Sequence, residues 1–266
     1  MIEAWKSPPQ TTTRKLMRLL GVPFNLAGDA VMKIPGVAWS VKKTVGGIVK
    51  VANDVAQWSV RPEAVFGEFA NRTGTSVTGY SDIAAMDLQK IDEAIGYLAA
   101  KYKLIAAAEG VGTGAAGPLG VPPDIVLLVT MNLRAAGEYA TYCGFDVTLE
   151  DERLFALHIL ALASSPDDTS RAVELAELKR VAQAAARKKT WKEIEKGVVV
   201  QIVQQIAQAL GMRLTRAKLA QMVPVAGAVV GGGFNAQYTA TVCDAAFHLY
   251  RERFLQRKYG DDLVEQ

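Results

Sequence analysis

The chain has 266 residues, half of them hydrophobic but only 8% aromatic, with a mean hydropathy of +0.12 and a formal charge of +3. That length can bury the core of one large or two ordinary domains, and apolar mass drawn mainly from Ala, Val, Leu and Ile favours closely packed helices. The two cysteines have no zinc spacing, no signal-peptide pattern opens the chain, and no apolar run approaches the ~20 residues of a spanning helix, so a reducing, cytoplasmic setting is expected.

Residues 1–60 read as a basic amphipathic amino-terminal segment, with eight Lys or Arg against three acids and a charge of +5. Thr12 or Thr13 can cap a short helix, RKLMRLL, that carries Arg14, Lys15 and Arg18. Pro35 and Gly36 reset the chain before a helix over 37–58, whose stripe of Val41, Val45, Ile48, Val49, Ala52 and Val55 lies beside Lys42 and Lys43. Such a stripe is either core with a solvated edge or the face of a helix lying on an anionic membrane. The indoles of Trp5, Trp39 and Trp58 suit both readings.

Residues 61–266 read as the main helical domain. Ser81 can cap a helix over 82–107 whose buried side is Ala84, Leu88, Ile91, Ile95, Leu98, Tyr102 and Ile105. Glycines at 110, 112, 114, 117 and 120 are expected to end it. Pro122 and Pro123 then suit the first turn of a helix over 122–143, with Asp124 at the positive end of its dipole. Thr148 is the expected cap of a helix over 149–162 that has Glu150, Asp151 and Glu152 in its first turn. After a polar loop at 164–170 comes a charged helix over 171–189, and a Thr190/Glu193 capping box opens another that Gly211 should stop. Pro224, Gly227 and Gly231 to Gly233 introduce the last helix, 235–259.

No alternation of strand and helix appears. The expected class is all-α, a multi-helix bundle with two Gly/Pro-rich helix entries and no substantial β-sheet. Those side-chain-poor entries should let the two helices that follow them approach closely.

Three charged residues, Asp124, Arg134 and Glu138, interrupt the helix over 122–143, which is expected to be central. Arg134 and Glu138 are one turn apart and can pair. With Asn235 they form either a buried polar network or a lipid or anion site in which Arg134 holds a head group. On the last helix Asp244, His248 and Arg251 share a face, which reads as a salt-bridged surface or as a metal or acid/base pair. That pair has too few companions for a metal centre, because the only other histidine is His158. Gly112 to Gly117 match GxGxxG without the preceding strand that a dinucleotide turn needs, and no phosphate-binding Gly-Lys-Ser/Thr occurs. The basic cluster around Lys179, Arg180 and Arg187 to Lys189 lacks the aromatic interleaving of a nucleic-acid surface.

The glycine run followed by PPDIVLLVTMNLR, the YCGFD segment with Glu152 and Arg153, and VPVAGAVVGGGFNAQYT near the end resemble the EcsC family of bacterial proteins over residues 60–260. The resemblance implies an all-helical, membrane-associated protein without an established enzymatic activity. The expected function is therefore non-enzymatic: a peripheral membrane or lipid-binding protein at the cytoplasmic face of the membrane, with no catalytic residue and no cofactor. Its contact residues would be Arg14, Lys15, Arg18, Lys42, Lys43 and Trp39, and its partners anionic head groups or an acyl chain, but no nucleic acid. Two alternatives stand beside it, a metal-assisted or acid/base enzyme using Asp244 and His248, and a scaffold for a membrane transporter or peptidase.

Overall fold

A computed structural model describes residues 5–6, 37–54, 58–114, 121–165, 167–186, 196–220 and 227–260. Among these residues the protein is all-α, without a strand. The expected helix around Arg14, Lys15 and Arg18 and the Thr190/Glu193 box lie outside them.

Helix α1 (Val37–Asn53) turns Thr44, Ile48, Val51 and Ala52 into the core, against the helices over 121–142 and 196–220. The first of these contacts needs a glycine, because a Cβ at Gly47 would lie 2.7 Å from a methyl of Val126. The helix ends five residues before Trp58, which is fully buried and donates its indole N–H to the Val51 carbonyl at 2.9 Å. Trp58 is thus a core residue, not an indole at an interface.

Helix α2 (Pro62–Thr73) was not visible to the periodicity argument, since it buries only Val65 and Phe69. Pro62 opens it and Gly74, at φ 66°, closes it in the left-handed conformation. The helix expected over 82–107 is instead three pieces: α3 (Tyr80–Ala84), α4 (Leu88–Ile95) and α5 (Leu98–Gly114). Asp87 occupies the amino-terminal cap position of α4, and Gly96, at φ 49°, ends it. Ser81 caps nothing here; it lies inside α3, while the Asp82 carboxylate accepts from the backbone N–H and the hydroxyl of Thr78. The apolar rhythm continues through both breaks, so spacing alone could not reveal them. Ile105 also falls outside the buried side, where Ala106 takes its place.

Helix α6 (Val121–Tyr142) is the centre, as expected, and touches α1, α2, α4 and α5 as well as the helices over 150–164, 196–220 and 227–259. Helix α7 (Glu150–Ser164) is buried all round from Leu154 onward. Thr148 does not cap it: Leu149 stands in the cap position, and Asp146 accepts the Thr148 N–H and hydroxyl. Helices α8 (Asp168–Ala186), α9 (Lys196–Ala220) and α10 (Gly227–Tyr259) complete the bundle.

Glycines expected to end or to precede helices lie within them instead, for one reason. Gly110, Gly112 and Gly114 lie inside α5, Gly211 inside α9, and Gly231 to Gly233 inside α10. A glycine costs a helix about 1 kcal/mol, which tertiary packing easily overrides. The most extensive helix contact in the molecule is α5 against α10. Asp92 pairs with Arg251 while Asp87, at the cap of α4, pairs with Lys258, so α10 runs antiparallel to α4. It runs parallel to α6, where Asn132 meets Thr239 and the Tyr139 and Phe247 rings lie 6.3 Å apart.

Candidate functional site

Glu138 projects from α6 into the contact with α5. Its carboxylate accepts from Arg134 Nε at 3.3 Å and from Lys101 Nζ at 3.1 Å; its side chain is 8% exposed against 41% and 52% for those cations. One buried carboxylate is thus covered from solvent by two half-exposed cations, leaving one surplus positive charge at the surface. The Arg134–Glu138 pair follows from helical spacing, but Lys101 comes from another helix and no spacing rule could have found it.

One and a half turns deeper, Asn132 donates its amide to the Leu128 carbonyl at 2.8 Å and to the Thr239 hydroxyl at 3.2 Å, joining α6 to α10. Asn235 lies one turn before Thr239 and is buried. Asp124, also buried, sits in the first turn of α6, where it helps to raise the Glu109 carboxyl, whose shift comes first from burial. Asp124 and Glu138 are fourteen residues apart, ~21 Å along one helix. The predicted site residues therefore divide into a surface cluster at Arg134 and Glu138 and an interior carboxyl region at Asp124, rather than converging on one ligand.

Asp244 and His248 do share a face of α10, and that face is occupied. The Trp5 indole donates its N–H to the Asp244 carboxylate and stacks on the His248 ring, with centroids 4.9 Å apart. His248 Nδ1 lies 2.9 Å from the Asp244 backbone carbonyl and 3.6 Å from its carboxylate. Among the described residues no group of three His, Cys, Asp or Glu side chains could hold a metal ion.

Glu152 lies in the first turn of α7 as its helix-dipole reading expects, and its partner comes from a distant helix that no local spacing contains. Arg253 of α10 grips it through two bonds of 2.6 and 2.7 Å, both side chains being buried. The guanidinium also sits 4.2 Å from the ring centroids of Phe145 and Phe155. One turn on, Arg257 donates to the carbonyls of Gly144 and Cys143 at 3.0 and 3.1 Å, capping the end of α6 where cations are favoured. Burial lowers the Arg257 pKa. His158 lies buried 3.0 Å from Glu174, a second tie, between α7 and α8. These pairs fix how the helices meet.

The outer side of α5 is the unusual surface. Lys101, Leu104 and Ala108 fall on one face at helical spacing, with Ile105 at its margin and Tyr97 in the turn just before the helix; Tyr97 is 82% exposed, Leu104 73% and Ile105 39%. Lys101 and Lys103 are exposed beside them. None of these was an expected contact residue; of those that were, Lys43 is exposed on α1, and Lys42 and Trp39 belong to the same helix. Arg14, Lys15 and Arg18 lie outside the described residues. Among the described residues no helix is long and apolar enough to cross a membrane.

The EcsC protein family model matches residues 35–255, and the chain belongs to that family. It is 28% identical over 193 residues to Protein EcsC of Bacillus subtilis (strain 168), covering 72% of this chain and 76% of that protein. It is 29% identical over 263 residues to a protein of the same organism named Uncharacterized protein YdbA, covering 95% of this chain and 89% of that one. No solved structure matches it.

Proposed function

We propose that this EcsC-family chain is a non-enzymatic peripheral membrane protein that binds anionic lipid at the cytoplasmic face of a bacterial membrane. The observation that carries the reading is an exposed strip made by Tyr97, just before α5, and by Leu104 and Ile105 on the outer face of that helix, beside Lys101 and Lys103. An apolar strip edged with lysines is the pattern of a helix that lies in the plane of a membrane interface. Fully burying a leucine contributes about 1.5–3 kcal/mol, and each lysine near an anionic surface adds about 1 kcal/mol. Lysine stems can lie along the apolar region while their ammonium groups reach phosphate. Arg134 extends the positive charge onto the next helix.

The basic amino-terminal residues, with Lys42, Lys43 and Trp39 on α1, would supply a second contact. Flotation with vesicles of phosphatidylglycerol and phosphatidylcholine tests the reading. Wild-type protein should float with anionic vesicles and be released by salt, whereas Leu104→Glu should bind at least several-fold more weakly without losing helicity. Equal flotation of the two proteins would remove α5 from the contact. Absence of wild-type binding would remove the membrane role and favour a protein partner on the same face.

A further inference from the structure

We propose that the surface between α8 and α10 is a seat for the chain's own Trp5 and Lys6, and that this seat competes with a bilayer for the same indole. The Trp5 ring lies 6° from parallel with His248, and the Arg171 guanidinium is 4.8 Å from its centroid. The indole N–H is taken by Asp244, and Lys6 Nζ reaches Glu252 at 2.5 Å. Asp244, His248 and Glu252 are successive turns of one helix face, and Arg171 comes from α8. The seat therefore reads two chemistries in order, a flat ring with one donor and then an ammonium group.

An indole is also among the side chains that a membrane interface holds best. The same ring cannot stack on His248 and lie among head groups. Emptying the seat should then release an anchor, so the contact restrains membrane binding. Trp58 offers no such choice, because it is in the core. This competition rests on the peripheral-membrane reading above.

The test uses the full chain and the same phosphatidylglycerol and phosphatidylcholine vesicles. Arg171→Ala and His248→Ala leave Trp5 in place but weaken its seat, and each should raise the bound fraction several-fold. Adding Trp5→Ala to either should cancel that gain. Binding by both seat variants equal to or below wild type overturns the competition.

A vesicle-free arm separates this failure from that of the membrane reading. Trp5 emission, taken as the difference between wild type and Trp5→Phe, should be shielded from acrylamide and become quenchable in Arg171→Ala. Equal quenching overturns the seat itself. If no protein binds vesicles, the competition fails with the membrane role, while quenching still decides whether the seat exists. Circular dichroism checks that each variant folds; Glu252→Gln, which touches only the Lys6 contact, replaces any that does not.

Discussion

Gly46 and Gly47 are neighbours on α1 with opposite demands on space. A Cβ at Gly46 meets nothing within 4 Å, whereas one at Gly47 would press on a branched methyl of Val126 at 2.7 Å. Gly46→Ala should therefore stabilise the protein by about 0.4–1 kcal/mol through the unfolded chain. Gly47→Ala should destabilise it by about 1–3 kcal/mol through overpacking, and urea denaturation of the two variants gives the sign of each. Ionisation acts at the same scale. Burial pushes the Cys143 and Cys243 thiols from 9.0 up to about 12, and burial with nearby Asp146 pushes Tyr80 from 10.0 to about 12. For each group the unfolded chain ionises first, so its contribution is full below the unfolded pKa and is lost as pH rises through the folded one. Stability should thus fall progressively above pH 9, in the window that these groups define. Urea midpoints across that range check it, and the decline should be shallower in a Cys143→Ala/Cys243→Ala protein.

Helices are joined here by a few polar ties whose worth lies in how they are broken. Glu152 and Arg253 connect the start of α7 to α10 with both side chains buried. Removing one partner leaves a buried charge, so Arg253→Met should cost about 3–5 kcal/mol. Removing both, with Glu152→Met added, should recover much of that loss, and a double-mutant cycle measures the coupling. The sequence held part of this scale. Amphipathic spacing located α1, the proline, glycine and acidic landmarks located α6, α7 and the body of α10, and the one-turn spacing placed Arg134 against Glu138. It could not separate α3, α4 and α5, because the apolar rhythm persists while Gly96 reverses the backbone at φ 49°. Nor could it find Lys101 or Arg253, whose partners lie 37 and 101 residues away.

For the molecule as a whole, Ile48, Val51, Ala52 and Trp58 are core residues, so α1 and Trp58 pack as part of the bundle. Deleting residues 1–60 should give an unstable or aggregated product, while deleting 1–36 should keep the helical content and cooperative unfolding. Circular dichroism melts of the two truncations decide this. Only the shorter deletion therefore asks a clean question about lipid binding, since the longer one confounds contact with collapse.

Composition, periodicity and the proline and glycine landmarks were enough to make this chain all-α and to centre it on the helix after Pro122; its family was legible only as a resemblance of whole motif segments. Local sequence carries the fold class and its centre because helical spacing and the restricted backbone of proline act over a few residues. Tertiary contact decided the rest: glycines at 110–114 and 227–233 became helix, since α5 and α10 pack on each other strongly enough to outweigh the weak local preference against it. Packing also sent Trp58 inward, set Trp5 against His248 and left Tyr97 and Leu104 in water. No local pattern contains those outcomes, because each depends on which distant helix fills the space beside the residue.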